Sequence, residues 1–481
     1  MPDQFNFIVI QHIKSMTEFI LNDRTIRTSR AASMTLLDYI RYDQALAGTK
    51  IGCREGDCGA CTILLGREFD GQMYYESMTS CITPLGNAAG KHVVTIEGLN
   101  MDDLAPVQQF MVKCGGTQCG FCTVGFVVSL SGYCLSTDQP TVQGAISTVD
   151  GNICRCTGYK SIERAAEKLV SKLEKKALSN PVPWLVENGF LPGYFIDIPE
   201  RLSGLKEPVL PDNGSVVVGG GTDLYVQQHD ELVEQEEVEL VLNKPDFKSI
   251  IRQGDTMTIG AAATATDLMQ SQEMNEIIPN LYSHLKLVSS TPIRNMGTIA
   301  GNLVNASPIG DLTVFFLALD SKITLRSNVG KERELPLKDF FIGYKKLDKE
   351  PDENLVRISF PIPSESRFNF EKVSKRTYLD IASVNTAIGI TVSGGIIEGV
   401  HLSAGGVGPT PMFLQETCSF LTGKVLSEKL LAEANEVIQS EVSPISDVRG
   451  SADYKRTLLR QLFFAHFAEL YPEHIEAGEL I

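Results

Sequence analysis

The sequence predicts a multidomain α+β protein, and three observations predict it. The chain has 481 residues, enough for two to four domains that each bury a core. Its pattern changes along its length: a hairpin and a helix, then helices alone, then mixed strands and helices, then strands followed by helices. Its 11 cysteines are crowded, ten at or before Cys156 and only Cys418 beyond it. Buried core cysteines have no reason to gather in one third of a chain, whereas metal ligands do.

The formal charge of −16 sets the chain against general nucleic-acid binding and against an anionic membrane surface. No run approaches the ~18 apolar residues of a membrane span. The start lacks a basic segment, and Gln11, His12 and Lys14 interrupt its apolar stretch. No signal peptide is read there, and the expected location is cytoplasmic. In that reducing compartment the thiols are not expected to form a disulfide framework.

Residues 17–100 are expected to form a small α/β unit. The turn at Asn22-Asp23 joins two apolar strands. Ser33 is a candidate N-cap for a helix with Leu36, Leu37 and Ile40 on one face. A cysteine-rich loop, the strand "CTILL", a turn at Asp70-Gly71 and the strand "HVVTIEGL" follow. Residues 101–178 read as helical, in "VQQFMVKCG", "TVGFVVSLSGYCL" and "SIERAAEKLVSKLEKKA". Residues 179–195 are rich in proline and glycine and read as a linker, with Trp184 pinning it to a neighbour. In 196–365, strands such as "SVVVGG", "TMTIGAAAT" and "KITLRS" alternate with helical pieces such as 265–290, and the acidic run Asp230 to Glu239 is a solvated face. In 368–481 strands precede helices, the order of a separate α+β unit.

Cys53, Cys58 and Cys61, followed by Cys81, have the C-x4-C-x2-C…C spacing of plant-type ferredoxins. A [2Fe–2S] cluster is anionic once four thiolates bind it, so its loop must turn backbone N–H groups toward sulfur. Gly52, Gly56 and Gly59 permit that. Structural zinc is the alternative. Cys114, Cys119 and Cys122 repeat the rhythm, and Cys134, Cys154 and Cys156 follow, six thiols for four ligand places. Spacing favours Cys119 and Cys122 with Cys154 and Cys156. It leaves Cys114 undecided and places Cys134 in an apolar helix, where a free buried thiol is common.

"GCREGDCGACTILL", "QCGFCT" and "GNICRCTGY" resemble the iron–sulfur region of the molybdenum hydroxylases, the xanthine dehydrogenase and aldehyde oxidase family. The resemblance implies a β-grasp ferredoxin-like domain and a four-helix [2Fe–2S] domain. It also implies one cluster on Cys53, Cys58, Cys61 and Cys81 and another on Cys119, Cys122, Cys154 and Cys156, with Cys114 and Cys134 spare. Arg155 would then offset cluster charge. The family usually has proline where this chain has Val124.

"VVVGGGTDL" is a strand running into three glycines, able to cradle a diphosphate through backbone N–H groups. It is not G-x-G-x-x-G, so the dinucleotide fingerprint is absent; a glycine-rich turn without ligand is the alternative. A second stretch, Thr291 to Leu312, is dense in small, hydroxyl and amide residues. Both, in this order, resemble the FAD-binding domain of the same family, of the vanillyl-alcohol oxidase type. The resemblance places Val217, Val218, Gly219, Gly220, Gly221, Thr222, Asp223 and Leu224 around the FAD diphosphate. It puts Thr298, Asn302, Asn305, Ser307 and Asp311 at polar FAD contacts, and Val288 and Leu355 nearby. Lys372 falls near the flavin ring; surface charge is the alternative for it and for Lys375.

Residues beyond 368 resemble the CO dehydrogenase flavoprotein C-terminal domain, and no catalytic constellation is read in them; lone His284 and His401 are taken as structural. Family enzymes hydroxylate a heterocycle or aldehyde at molybdenum. The iron–sulfur-then-flavin order in one polypeptide is similar to the small subunits of bacterial xanthine dehydrogenases, which act in purine catabolism, hypoxanthine and xanthine to urate. The expected partner is a large subunit that alone binds molybdopterin, in a heterotetramer of two small and two large subunits. The implied route runs from molybdenum to the Cys119/Cys122/Cys154/Cys156 cluster, the Cys53/Cys58/Cys61/Cys81 cluster, FAD and NAD⁺. Gln118 is implied near the partner's pterin; a helix-start hydrogen bond is its alternative. The other classes are the same subunit of a hydroxylase for an aldehyde, a nicotinate-like ring or an aromatic thioester, and a zinc-stabilised binding module.

Overall fold

The structure, a computed structural model, describes residues 16–206, 216–235, 238–362 and 365–475. The amino-terminal stretch read for a signal peptide, Ser215 of the glycine-rich strand and part of the acidic run lie outside the described residues.

The first unit is a five-stranded sheet in the order β2-β1-β5-β3-β4. Its strands are β1 (Thr17–Leu21), β2 (Arg24–Thr28), β3 (Thr62–Phe69), β4 (Gln72–Thr79) and β5 (His92–Val94). β1 and β5 run parallel; the other neighbours are antiparallel. This is the β-grasp arrangement. The helix α1 (Leu36–Asp38) is capped by Thr35, not Ser33: the Thr35 hydroxyl accepts from Asp38 N, which satisfies a first-turn donor. The Ser33 hydroxyl instead donates to Gln235 O at 2.6 Å. The "HVVTIEGL" stretch is strand only to Val94 and then turns into a 3-10 segment, Ile96–Leu99.

Four helices follow: α2 (Pro106–Lys113), α3 (Thr123–Leu135), α4 (Val142–Thr148) and α5 (Lys160–Lys172). α3 forms with Val124 in its first turn, without a proline there. It is buried on almost every face and shares a core with Leu64 and Val94 of the first sheet. α5 buries Ile162, Ala165, Ala166 and Leu169, the one-sided spacing of an amphipathic helix. The stretch expected as a linker contains a helix, α6 (Pro181–Glu187). Pro181 occupies the first helical position, where its missing N–H removes no bond. Leu185, Phe190, Leu191 and Phe195 pack into the helical core, and Trp184 lies on Phe190 with ring centroids 5.6 Å apart. A short α7 (Ile198–Ser203) leads on.

The third unit opens with β6 (Val216–Val218), α8 (Leu224–Gln227), α9 (His229–Val233) and β7 (Val238–Leu240), the two strands pairing in parallel. This small lobe buries Val218, Tyr225, Leu232 and Leu240 against Phe19, Ile40 and Ile63 of the first unit. β8 (Ile250–Gln253) and β9 (Thr256–Gly260) come next. The 265–290 stretch, expected as one helical piece, divides into α10 (Ala265–Gln270), α11 (Gln272–Ile277) and α12 (Leu281–Lys286). Ser271 caps α11 and Pro279 forbids continuation into α12. α13 (Thr291–Arg294), α14 (Ile299–Val304) and α15 (Asp311–Leu317) carry the second flavin stretch. β10 (Lys322–Ser327) and β11 (Glu332–Pro336) are followed by α16 (Leu337–Phe340), a small hairpin of β12 (Phe341–Gly343) and β13 (Lys346–Leu347), and β14 (Glu353–Pro361). The larger sheet has the order β11-β10-β14-β9-β8.

The last unit is a sheet of β15 (Arg367–Val373), β16 (Val384–Ser393), β17 (Ile396–Gly405) and β18 (Met412–Phe413), in sequence order. Helices α17 (Gln415–Leu421), α18 (Glu428–Glu441) and α19 (Ala452–Leu470) cover it. Phe370 and Ala387 reach into the core of the preceding unit. Among the described residues no helix is long and apolar enough to cross a membrane.

Candidate functional site

The first cysteine loop connects α1 to β3. Arg54 adopts φ 60°, and its guanidinium holds both oxygens of Asp38 at 3.1 and 2.7 Å. That fork ties the loop to the capped end of α1. Glu55 N and Cys58 N point at Cys53 Sγ, 3.3 and 3.4 Å away, and Cys53 N at Cys58 Sγ, 3.4 Å. The Cys58 thiol and these amides pull Cys53 down to about 5. Cys61 is buried against Cys81, whose thiol hydrogen-bonds to it and lowers it. The backbone thus presents donors to sulfur, as an anionic cluster requires.

The second set lies on the loops that flank α3 and open α5. Cys119 and Cys156 meet with sulfurs 3.7 Å apart, both exposed. Cys122, which caps α3, meets Cys154. Burial opposes ionisation of Cys154, but the Thr157 hydroxyl and amide, 3.2 and 3.4 Å from its sulfur, lower it. Cys134 is buried in the helical core, and burial pushes its thiol up to about 12. Cys114 ends α2, partly buried against the same core. Arg155 is exposed. Gln118 is exposed and donates to Cys156 O at 3.3 Å, not to a helix start.

The eight cysteines therefore come together as four pairs: Cys53 with Cys58, Cys61 with Cys81, Cys119 with Cys156, and Cys122 with Cys154. Four thiols in each set, gathered as two pairs, fit a [2Fe–2S] cluster, which takes two thiolates on each iron.

The two cysteine loops also touch. Ile153 N donates to Cys58 O at 3.0 Å. Gly59 takes φ +67°, and a Cβ there would lie 2.3 Å from Gly151 O. Only glycine permits this approach.

In the flavin region, β6 delivers the chain into Gly219–Gly221. The N–H groups of Gly219, Gly220, Gly221 and Thr222 donate to no described protein acceptor, the free donors an anionic diphosphate needs. A Cβ on Gly220 would fall 1.9 Å from Met296 O, so the glycine faces the second stretch. Thr298 caps α14 through Gly301 N at 3.1 Å and lies beside Gly219. Asp223 accepts from Gln227 at 2.7 Å, and Gln227 reaches Asn305 at 3.5 Å, which also accepts from Lys345 at 2.5 Å. The structure thus brings Thr298 beside Gly219 and links Asp223 to Asn305 through Gln227, while Val218 is buried in the core shared with the first unit.

A second group forms where α15 meets the last sheet. Lys372 Nζ lies 2.6 Å from Asp311 and 2.8 Å from Leu287 O, next to Val288. Asn385 donates to the other Asp311 oxygen at 2.6 Å. The Lys372 side chain is 1% exposed, so it is not surface charge, whereas exposed Lys375 reaches only Val448 O. Asn302 accepts from Thr313 N at 3.2 Å and Ser307 from Ile309 N at 3.4 Å, which shapes the turn into α15. Leu355 and Val288 share the buried core.

Sequence reasoning missed Asp150, Lys286 and Arg294. The Asp150 carboxylate accepts from Lys286 Nζ at 2.5 Å, Arg294 Nη2 at 2.6 Å and Thr291 N at 2.7 Å. All three side chains are buried. This triad locks the second cysteine loop onto the FAD unit. The only sequence signals were the placement of Arg294 within the second flavin stretch and of Asp150 directly before "GNICRCTGY".

Comparison with known proteins matches four families in consecutive order. The 2Fe-2S iron-sulfur cluster binding domain matches residues 19–86, and the [2Fe-2S] binding domain 95–167. The FAD binding domain in molybdopterin dehydrogenase matches 198–363, and the CO dehydrogenase flavoprotein C-terminal domain 370–470. The chain thus carries, in order, two 2Fe-2S domains, an FAD-binding domain of the molybdopterin dehydrogenase kind and a CO dehydrogenase flavoprotein C-terminal domain. It is 27% identical to xanthine dehydrogenase 1 of Arabidopsis thaliana over 531 residues, 92% of this chain and 39% of that protein. It is 28% identical to aldehyde oxidase 1 of Bos taurus over 534 residues, 94% of this chain and 39% of that protein. It thus spans about two-fifths of the length of these relatives. A chain of carbon monoxide dehydrogenase from Hydrogenophaga pseudoflava is 26% identical, with a TM-score of 0.49 over 51% of this chain and 86% of that one.

Proposed function

We propose that this chain is the electron-transfer subunit of a xanthine dehydrogenase. It would accept electrons from a large molybdopterin-binding subunit and pass them to NAD⁺ in the cytoplasm, in a heterotetramer of two small and two large subunits. When bound, the clusters carry electrons singly and FAD collects a pair for delivery as hydride. The observation that carries the reading is a chain of contacts that starts at an exposed pair of thiols. Cys119 and Cys156 lie exposed at the outer edge, where a partner would dock beside Gln118. Cys58 and Cys154 are joined through a single hydrogen bond between Cys58 O and Ile153 N. Cys81 precedes Ile82, whose carbonyl would lie 2.7 Å from a Cβ on Gly221 of the FAD loop. These contacts support a route from the partner to the Cys119/Cys122/Cys154/Cys156 cluster, then the Cys53/Cys58/Cys61/Cys81 cluster, then the flavin.

On this reading Lys372 and Asp311 hold each other at the flavin ring, and the free N–H groups of Gly219–Thr222 take the diphosphate. The boundaries 17–100, 101–178, 196–365 and 368–481 are part of the proposal. The similarity to aldehyde oxidase favours a second reading, the same subunit of a hydroxylase for another substrate. The test uses the isolated chain and the complex with the molybdenum subunit. The isolated chain should reduce an artificial dye with NADH and leave xanthine untouched. The complex should oxidise xanthine with NAD⁺, and Cys119→Ser should stop that while sparing NADH-to-dye transfer. Oxidation of an aldehyde in place of xanthine would select the second reading. Loss of only the NADH-to-dye activity in the variant would reverse the order.

A further inference from the structure

The loop that brings Ile153 to Cys58 is held by a side chain that ligates nothing. Asn152 is 4% exposed, and three hydrogen bonds hold its carboxamide, two from Nδ2 and one to Oδ1. Its Nδ2 donates to Gly59 O at 3.1 Å and to Thr62 Oγ1 at 3.3 Å. Its Oδ1 accepts from Ser129 Oγ at 2.8 Å. Thr62 Oγ1 in turn donates to Gly59 O at 2.6 Å. Gly59 belongs to the first cysteine loop, Ser129 to α3, and Asn152 to the second cysteine loop. The space beside the amide is closed on two sides. A Cβ on Gly59 would lie 2.5 Å from Asn152 Nδ2, and one on Gly125 would lie 2.8 Å from it.

Such a buried amide is expensive to misplace, because each donor or acceptor left unmet has lost its water without gaining a partner. Its geometry therefore holds three elements in one register. The residue after it supplies the N–H that meets Cys58 O, and the next residue is Cys154. We infer that Asn152 is a positioning residue for electron exchange between the two clusters, setting the Ile153–Cys58 contact that joins their ligands. In the step it would serve, one electron would pass from the cluster held by Cys119, Cys122, Cys154 and Cys156 to the cluster held by Cys53, Cys58, Cys61 and Cys81, with no proton and no further reactant.

The inference rests on the ligand assignment above, and the experiment separates the two. The full chain is reduced with dithionite, and its low-temperature paramagnetic resonance is recorded with iron content. Native protein lacking two cluster signals would refute the ligand assignment itself. With two signals, native protein should show the splitting that comes from spin coupling between the clusters. Asn152→Asp places carboxylate oxygen against Gly59 O and should abolish that splitting while both signals and all iron remain. Ser129→Ala removes one donor and should weaken the splitting, which keeps the test open if the first variant fails to fold. The conservative Asn152→Gln tests whether the amide alone suffices and should restore part of the splitting lost in Asn152→Asp. Splitting unchanged in both Asn152→Asp and Ser129→Ala, with only the melting temperature lowered, overturns the inference and leaves Asn152 a packing residue. Loss of the Cys154 cluster in Ser129→Ala overturns it equally, since the loop's job would then be ligation alone.

Discussion

Asp150→Asn changes one atom and should be among the most damaging single substitutions in the chain. Burial alone would raise the Asp150 carboxyl, but Arg294 and Lys286 hold it below the ordinary carboxylate range, so it is charged near neutral pH. The amide keeps the shape and removes the charge, leaving two buried cations around a neutral group. Breaking a buried ion pair from one side costs about 3–5 kcal/mol, far above the value of a surface pair. Two features limit the loss. Arg294 still donates to Lys286 O, Val288 O and Ser289 O. Burial already pulls the Lys286 ammonium down to about 8 against the attraction of Asp150, so it can release its proton. The lower end, about 3 kcal/mol, is therefore expected, a fall of roughly 6–12 °C for a unit of about 150–250 residues. Differential scanning calorimetry of the FAD-loaded chain measures it. Lys286→Met leaves Asp150 paired with Arg294 and should cost clearly less. A fall under about 1 °C for Asp150→Asn, or a larger fall for Lys286→Met, would refute the reasoning that the carboxylate is the hub.

Three further outcomes are expected. Lys286 binds its proton less tightly folded, about 8 against 10.5, so the unfolded chain holds more protons between those values and stability from this group rises with pH across that window; melting curves from pH 8 upward should show the native protein gaining on Lys286→Met. Cys154→Ser should reduce iron from about four to about two per chain, with Cys114→Ala retaining both [2Fe–2S] clusters; iron analysis reads both. Gly220→Val should lower FAD content and spare iron, because its Cβ would strike Met296 O at 1.9 Å; stoichiometric FAD in that variant would move the diphosphate elsewhere.

The sequence made legible what is local. α2, α3 and α5 follow from apolar spacing, and the β1–β2 hairpin from Asn22-Asp23. α4 lay in the region read as helical but was not singled out, because "VQGAIST" carries a glycine and β-branched residues, poor helix formers that its Thr141 cap and its packing override. The linker's prolines suggested a break, yet Pro181 starts a helix rather than ending one. Both flavin stretches and the cysteine sets could be singled out, but their pairing could not. Cys119 meets Cys156 across 37 positions, and Arg294 meets Asp150 across 144. Periodicity has no access to such separations. Burial likewise distinguishes Lys372 from Lys375, two lysines of one short segment that the sequence leaves alike.

Ile82 follows Cys81 directly, and its carbonyl forms part of the wall behind Gly221. On the proposed reading, the wall of the nucleotide cradle and the mounting of a cluster ligand would be one turn, itself pinned by Ser80, whose N–H and hydroxyl both donate to Cys61 O. A substitution that shifts this turn would therefore be felt at two cofactors at once, in iron content and in FAD content alike.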